Sequence, residues 1–374
     1  STVSDVLNLQ AGVVDGHFRG GRSNEVAYMI DGIPVNDVYN NNASLLLEND
    51  VIQELKVISG TFNAEYGQAQ SAIVEMITSE GGSEFAGNIS ITAGDHYSDN
   101  DDIFRNINNH SPDEYNEYSV SVRGPFTSRA NFLVNYRSSM DEGFKFGRDF
   151  FERTVYIGDI WFSDSSAAIY DNFNNVYDPD NSNPDTSSFI PMDDYHRRSF
   201  FGKLSFFLSD KDKISLNFTY QKKTRGVYDH LYQYNPLGNS RVNETSNIGY
   251  LIWNRLINPT SFLNISVSNS RKKYHRYLFK DKFDHRYATD SRLREAGNFA
   301  FYTGGTDMRY YRRNTDTNFF KFSYTNQINR LWELKTGIEL KMHEMHLDSL
   351  KLKKNPETAF QVEIAPAHTA DNQV

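Results

Sequence analysis

Two stretches of the chain carry carboxylates at alternating positions, the arrangement a hard cation such as Ca²⁺ would use: Asp95 to Asp102, and Asp178-Pro179-Asp180-Asn181-Ser182-Asn183-Pro184-Asp185. The second has Asn183 where an EF-hand loop needs glycine. Solvated loop charge is therefore the expected state, and no metal site is assigned. His343, Glu344 and His346 offer zinc-ligand chemistry. On a strand, however, a spacing of three sends the two imidazoles to opposite faces. No serine–histidine–aspartate order, phosphate-binding glycine loop or dinucleotide fingerprint occurs, so neither a catalytic residue nor a cofactor is expected. The sequons at Asn88, Asn217 and Asn264 fall inside predicted strands and read as chance. What remains is tyrosine: Tyr228, Tyr232, Tyr234, Tyr310 and Tyr311 sit in predicted long loops, where their rings can stack on a sugar or a chelate.

The elements that must position such loops come into view through composition. The chain has 374 residues, enough for two structural units. Its net charge of −9 argues against a nucleic-acid partner, which would demand a basic surface. Aromatics make up 14%, with 27 Phe and 23 Tyr, and cysteine is absent, which suits passage through an oxidising compartment. No apolar run reaches the roughly 18 residues of a transmembrane helix. Ser1-Thr2-Val3-Ser4-Asp5 is no secretory signal, so an exported protein would begin here in mature or truncated form.

Residues 1–85 read as a small α+β unit. Ser4 to Leu9 is the end of an amphipathic helix running into a turn at Gly12. Val26 to Ile30, Ile52 to Ile58 and Ala72 to Thr78 are short strands closed by Asp31-Gly32, Gly60 and Gly81-Gly82. From residue 86 onward, period-two segments alternate polar and apolar faces. In one, Ile214, Leu216, Phe218 and Tyr220 oppose Ser215, Asn217, Thr219 and Gln221. In another, Trp332, Leu334, Ile338, Leu340 and Met342 oppose Glu333, Lys335, Glu339, Lys341 and His343. Similar segments lie near 87–94, 117–124, 130–138, 198–208, 246–257, 261–274 and 316–328, making about nine strands.

The connections alternate. Short ones fall at Gly124 to Ser128, Ser209 to Asp212, Asn258 to Thr260 and Asn329-Arg330; long ones fall near 95–116, 139–197, 224–245 and 275–315. In an up-and-down meander every short turn then lies on one edge and every long loop on the other, as in an outer-membrane barrel. Trp253, Phe262, Trp332, Tyr136 and Tyr220 stand near strand ends, where amphipathic rings favour a membrane interface.

Three ordered motifs add a resemblance. Phe18-Arg19-Gly20-Gly21-Arg22-Ser23 leads to Tyr28-Met29-Ile30-Asp31-Gly32-Ile33-Pro34-Val35-Asn36; Val51 to Val57 follows, and then Asn63-Ala64-Glu65-Tyr66-Gly67 runs on to Thr78. In order and spacing these resemble the plug of TonB-dependent outer-membrane receptors, with wording similar to Bacteroidetes-type members that often carry a carboxypeptidase-regulatory-like domain. Ala72-Ile73 stands where Gly-Val is usual in the family. The resemblance implies an N-terminally truncated plug over 1–85 and the N-terminal part of a transmembrane antiparallel β-barrel over 86–374. Barrels of this kind have even strand numbers, about 22 in plugged transporters, so a fragment of a longer product is expected.

The resemblance further implies active import of a scarce solute (siderophore–iron, cobalamin, glycan or peptide) across the outer membrane of a Gram-negative bacterium. Partners would be the TonB–ExbB–ExbD complex, through a segment outside this sequence, outer-membrane lipid, a small-molecule or glycan ligand, and a surface lipoprotein. Arg19, Arg22, Glu54 and Glu65 are candidates for ion pairs between plug and wall. His17, Asp37, Tyr39, Asn40 and Asn41 fall in stretches that in the family reach the outward-facing apex. Asp31-Gly32 is expected to turn with glycine at positive φ and Pro34 fixing the next bend. The rival reading is a non-transporting adhesin or a carbohydrate-binding β-protein, in which the strand aromatics pack a soluble core and no plug is needed.

Overall fold

The computed structural model describes residues 3–10, 12–14, 16–60, 67, 70–148, 189–284, 286–287, 293–296, 299–302, 305–354 and 362–365. No helix among them is long and apolar enough to cross a membrane. The chain opens with α1 (Val3–Asn8), whose Val3 and Leu7 lie one turn apart and are both buried. A four-stranded mixed sheet follows, built from β1 (Val26–Ile30), β2 (Ile33–Pro34), β3 (Ile52–Ser59) and β4 (Ala72–Thr78) in the order β2-β1-β4-β3. Only the β1–β4 pairing is parallel. Val26, Ile30, Ile33, Val74 and Met76 form the centre of its core.

The β1–β2 hairpin closes through Asp31 at φ 50° and Gly32 at φ 80°. Positive φ at both central residues is the turn whose twist matches the flanking strands, and Asp-Gly is the dipeptide that tolerates it. Pro34 does not form a further bend. It lies in β2 opposite Met29, on the sheet's edge strand, where a missing N–H costs no ladder bond.

The second sheet is an antiparallel meander. Its long strands are β5 (Ala86–Gly94), β6 (Tyr115–Thr127), β7 (Ala130–Asp141), β8 (Tyr195–Ser209), β9 (Asp212–Arg225), β10 (Arg241–Asn258), β11 (Ser261–Tyr277), β12 (Arg309–Gln327) and β13 (Glu333–Lys354). A short β14 (Val362–Ala365) pairs with β13, and each strand pairs with its neighbours in chain order. The nine long strands match the nine segments expected from alternation, with Ile328 and Trp332 falling just outside β12 and β13. One turn is displaced: Gly124 to Thr127 continues β6, with a register shift between Pro125 and Thr127, and the chain reverses at Ser128-Arg129. A bulge accommodates the proline that an unbroken ladder would exclude. The first long loop begins at residue 95 as expected, and the other three begin two or three residues later because the strands run on; β13 reaches 22 residues. About 9–11 residues suffice to cross a bilayer, a length that β13 exceeds about twofold.

The polarity of this sheet is inverted relative to a soluble one. On β9, Ser215, Asn217, Thr219 and Gln221 are buried, while Leu216 and Phe218 are 42% and 45% exposed. The same inversion runs through neighbouring strands: Asn135, Ser199, Ser205, Ser246 and Ser268 point inward, and Val134, Leu204, Val267 and Phe320 point outward. Water would penalise that apolar face by about 25 cal/mol per Å². A soluble sandwich would therefore turn the sheet over; lipid outside removes the penalty. The inward face is covered by the small sheet, with Leu133, Phe201, Ile248, Tyr250 and Phe319 joining its core.

Candidate functional site

Five carboxylates of the small unit and its exit, Asp31, Asp37, Glu48, Asp50 and Glu80, meet the wall at successive heights. At the short-turn end, Asp31 Oδ1 and Oδ2 accept from the Thr78 amide (2.8 Å) and hydroxyl (2.7 Å), and Tyr250 donates its hydroxyl to Oδ2 at 2.8 Å. Beside them Glu80 receives Lys203 Nζ at 2.8 Å, Lys213 Nζ at 2.6 Å and Ser205 Oγ at 2.8 Å. Burial would raise the Glu80 carboxyl, but the two lysines outweigh it and hold it below the usual glutamate range. Midway up, buried Glu48 accepts from Ser199 Oγ at 2.6 Å, pairs with Arg137 at 3.3 Å and also pairs with Arg197. Asp50 accepts from Ser119 Oγ at 2.8 Å.

At the long-loop end the segment 37–42 forms the apex. Asn36 ties it down, accepting from the Tyr28 amide at 2.8 Å and donating to the carbonyls of Val26 (2.8 Å) and Asn41 (2.6 Å). Asn41, at φ 54°, donates to the Asn24 carbonyl at 2.5 Å. Asp37 is fully buried and shared by Arg313 Nη2 at 2.6 Å and Lys272 Nζ at 3.2 Å. Above it opens a cavity of about 640 Å³. Tyr39, Asn40 and Asn42 form its floor, and Lys272, Tyr274, Arg276, Arg309, Tyr310, Tyr311 and Arg313 form the wall, with Glu244 the acidic member. The Arg313 guanidinium lies 4.2 Å from the Tyr39 ring centre and 5.6 Å from that of Tyr274. Tyr277 stacks on Tyr310 at 5.4 Å. Arg276 and Arg309 share Asp307; burial opposes ionisation of that carboxyl, but its hydrogen bonds from Arg309 and Ser240 hold it below the usual range. A cavity so lined offers cations for an anion and aromatic faces for a planar group.

Of the residues expected at the apex, Tyr39 and Asn40 line the cavity, Asp37 lies beneath it, and Asn41 braces the loop. His17 is exposed away from it and bonds the Gly21 carbonyl at 2.9 Å. Arg19, at φ 48°, and Gly20 form a tight turn, and the chain passes so close to Ser71 at Gly21 that a Cβ there would lie 2.5 Å from the serine. Arg22 is exposed beside Glu25, and Glu54 pairs at 3.6 Å with Lys56 on its own strand. Gly67 is an exposed turn residue; Glu65 and Tyr66 lie outside the described residues, as does the acidic run 178–185. Among the described residues, the carboxylates that reach the wall are instead Asp31, Asp37, Glu48, Asp50 and Glu80. A signal for them exists in the sequence. Between residues 26 and 80 the charges are Asp31, Asp37, Glu48, Asp50, Glu54, Glu65, Glu75 and Glu80 against Lys56 alone, while the polar faces of the strands carry Arg137, Arg197, Lys203, Lys272 and Arg313. Tyr232 and Tyr234 are not free for a ligand: they pack against Tyr302 and Phe301 where two long loops meet. His343 bonds Thr317 while His346 lies beside Asp348 on the other face.

No protein-family model and no curated protein matches the chain. Solved structures do. The outer membrane transporter YddB from Escherichia coli aligns with 95% of this chain and 47% of its own at 11% identity and a TM-score of 0.55. The FrpB iron transporter from Neisseria meningitidis aligns with 87% of this chain and 40% of its own at 14% identity and a TM-score of 0.52. The ferripyoverdine receptor of the Pseudomonas aeruginosa outer membrane, solved with ferripyoverdine bound, aligns with 90% of this chain and 38% of its own at 11% identity and a TM-score of 0.52. The chain thus spans less than half the length of these structures. Its fold is that of the TonB-dependent outer-membrane receptors: a small mixed-sheet plug seated on a run of antiparallel barrel wall.

Proposed function

We propose that residues 1–85 and 86–374 are plug and wall of a non-enzymatic, TonB-dependent receptor that imports a scarce solute across the outer membrane of a Gram-negative bacterium. The solute class that fits the apex cavity is an anion with a planar or ring-bearing part. The observation that carries this is the double use of Arg313 and Lys272, which line the cavity and also hold buried Asp37. A bound anion competes with Asp37 for the same two cations. Ligand occupancy therefore weakens the link between segment 37–42 and the wall, and prepares the plug for the pull delivered through TonB, ExbB and ExbD. Siderophore–iron complexes, acidic glycans and acidic peptides share the required chemistry; the ferripyoverdine receptor and the FrpB iron transporter make the first the leading member. Arg19, Arg22 and Glu54, exposed on the plug, would meet further wall or a surface lipoprotein.

The test is uptake by the full-length protein in a strain lacking its own ferric-siderophore receptors. Ferric complexes of an anionic and of a cationic siderophore serve as probes. Uptake of the anionic complex that requires TonB and falls at least tenfold in Arg313→Gln is the expected result. TonB-independent uptake, or equal uptake by Arg313→Gln, would contradict the proposal.

A further inference from the structure

The outward face of the wall carries a polar notch on β10–β13, formed by two inter-strand rows. The lower row runs Gly249, Asn269, Asn318 and Met342, each directly opposite the next. The upper row, one step nearer the long loops, runs Asn247, Arg271, Asp316 and Glu344. On β9 the same rows continue as Phe218 and Tyr220, and the row beneath the notch is Leu251, Val267, Phe320 and Leu340. Amides and charges beside such an apolar band are costly in lipid unless they meet partners. Within the chain the notch is only half satisfied. Asn269 donates to Asn318 Oδ1 at 2.8 Å, which leaves Asn269 Oδ1 and Asn318 Nδ2 unused. Arg271 Nε donates to Asp316 Oδ1, which leaves both terminal guanidinium nitrogens and Asp316 Oδ2. Asp316 and Glu344 are like charges directly opposite each other, a destabilising arrangement. Neither Glu344 nor Asn247 has an ion pair or side-chain hydrogen bond among the described residues.

What the notch leaves unused is matched by the notch itself in reversed order. A two-fold axis along the membrane normal, passing between β11 and β12, keeps height and reverses the order of strands. Donors then meet acceptors position by position. Arg271 meets Asp316 of a second copy, Asn247 meets its Glu344, and the free oxygen of Asn269 meets the free amide nitrogen of its Asn318. Gly249 meets Met342, a hollow against a protruding side chain. A Cβ on Gly249 would find only Phe218, 3.9 Å away, and Met342 is 67% exposed. We propose that this face joins two copies of the protein side by side in the outer membrane, through β10–β13. The row beneath is apolar throughout and stays out of water whether lipid or the second copy covers it. The inference rests on the receptor reading insofar as that reading puts the outward face in lipid.

Single cysteines in the row beneath the notch test it while leaving the notch intact. Val267→Cys and Phe320→Cys flank the axis, and Leu204→Cys lies in the same row on β8, away from it. The full-length protein, with any cysteine elsewhere replaced, is treated in native outer membranes with a short bifunctional thiol reagent. Products are identified by mass, and heat-modifiable mobility checks the folding of every variant. Dimers of this protein should form at Val267→Cys and Phe320→Cys, and about tenfold less at Leu204→Cys. Adding Arg271→Glu should lower the Phe320→Cys dimer about tenfold, and adding Asp316→Arg to that variant should restore it. Gly249→Trp, which fills the hollow without touching a charge, should also lower it. Equal linking at all three cysteines, linking only to another protein, linking indifferent to Arg271→Glu, or monomers alone overturns the proposal, while a heat-modifiable barrel leaves the receptor reading standing. A protein whose mobility does not change on boiling overturns both.

Discussion

Asp37 is buried between an arginine and a lysine at the point where plug, wall and cavity meet. Removing one member of such a buried group leaves the others uncompensated, at a cost of about 3–5 kcal/mol. Asp37→Ala should therefore loosen segment 37–42 and expose it to limited proteolysis at a temperature where wild type resists; unchanged cleavage would show that Asp37 does not hold the apex. Glu48→Gln should have a similar effect one level lower, because Arg137 and Arg197 lose their shared anion. Protection of the 43–51 backbone in hydrogen exchange would fall, and a profile like that of wild type would count against the anchor. That segment 37–42 lies at the long-loop end was expected from its place just after the first plug motif, and the structure puts Tyr39 and Asn40 at the cavity and Asp37 beneath it. Arg313 and Lys272 were not, because a cation on the polar face of a strand looks the same in sequence whether it faces a plug or open water. Glu54 shows the same ambiguity: its charge is visible in the sequence, but its exposure beside Lys56 on β3, away from the described wall, is a property of the fold.

At the level of elements, period-two alternation fixed all nine long strands, since lumen and lipid impose opposite polarities on successive residues. Their loop-side ends were less visible, because above the membrane both faces are wet and alternation fades. The β1–β2 turn was legible in Asp31-Gly32. Gly32→Ala forces a Cβ into left-handed backbone and should cost roughly 1–2 kcal/mol, measured as an earlier urea midpoint for plug unfolding; no shift would mean the turn relaxes elsewhere. The loop 95–114 offers a pH test. Burial, together with the hydrogen bond and charge of Asp95, pushes Glu114 up to about 7 from 4.5, favouring its neutral form. Its contribution is complete below about pH 4.5 and is lost as pH rises through about 7. Backbone protection of this loop, corrected for intrinsic exchange, should drop across that window and become pH-independent in Glu114→Gln. A wild-type loop indifferent to pH would contradict the pairing.

For the whole molecule, the physical point is which side of the sheet is wet. The sorted loops and the alternation implied a membrane barrel, and the buried Ser215, Asn217 and Thr219 behind exposed Leu216 and Phe218 give that implication its energetic content. The rival soluble β-protein would need the opposite burial. Because the chain contains no cysteine, single cysteines placed in it can report the environment of each face once any cysteine elsewhere in the full-length protein has been replaced. The most direct measurement places nitroxide labels at Leu216, Phe218, Val267 and Phe320, and at Asn217 and Thr219, in the full-length protein in native outer membranes, and compares their collision rates with oxygen and with a water-soluble nickel chelate. The account predicts oxygen-dominated collisions at the first four and little access for either reagent at the last two. Nickel-dominated collisions at Leu216 and Phe218 would mean that water, not lipid, covers the outward face, and the receptor reading would fall.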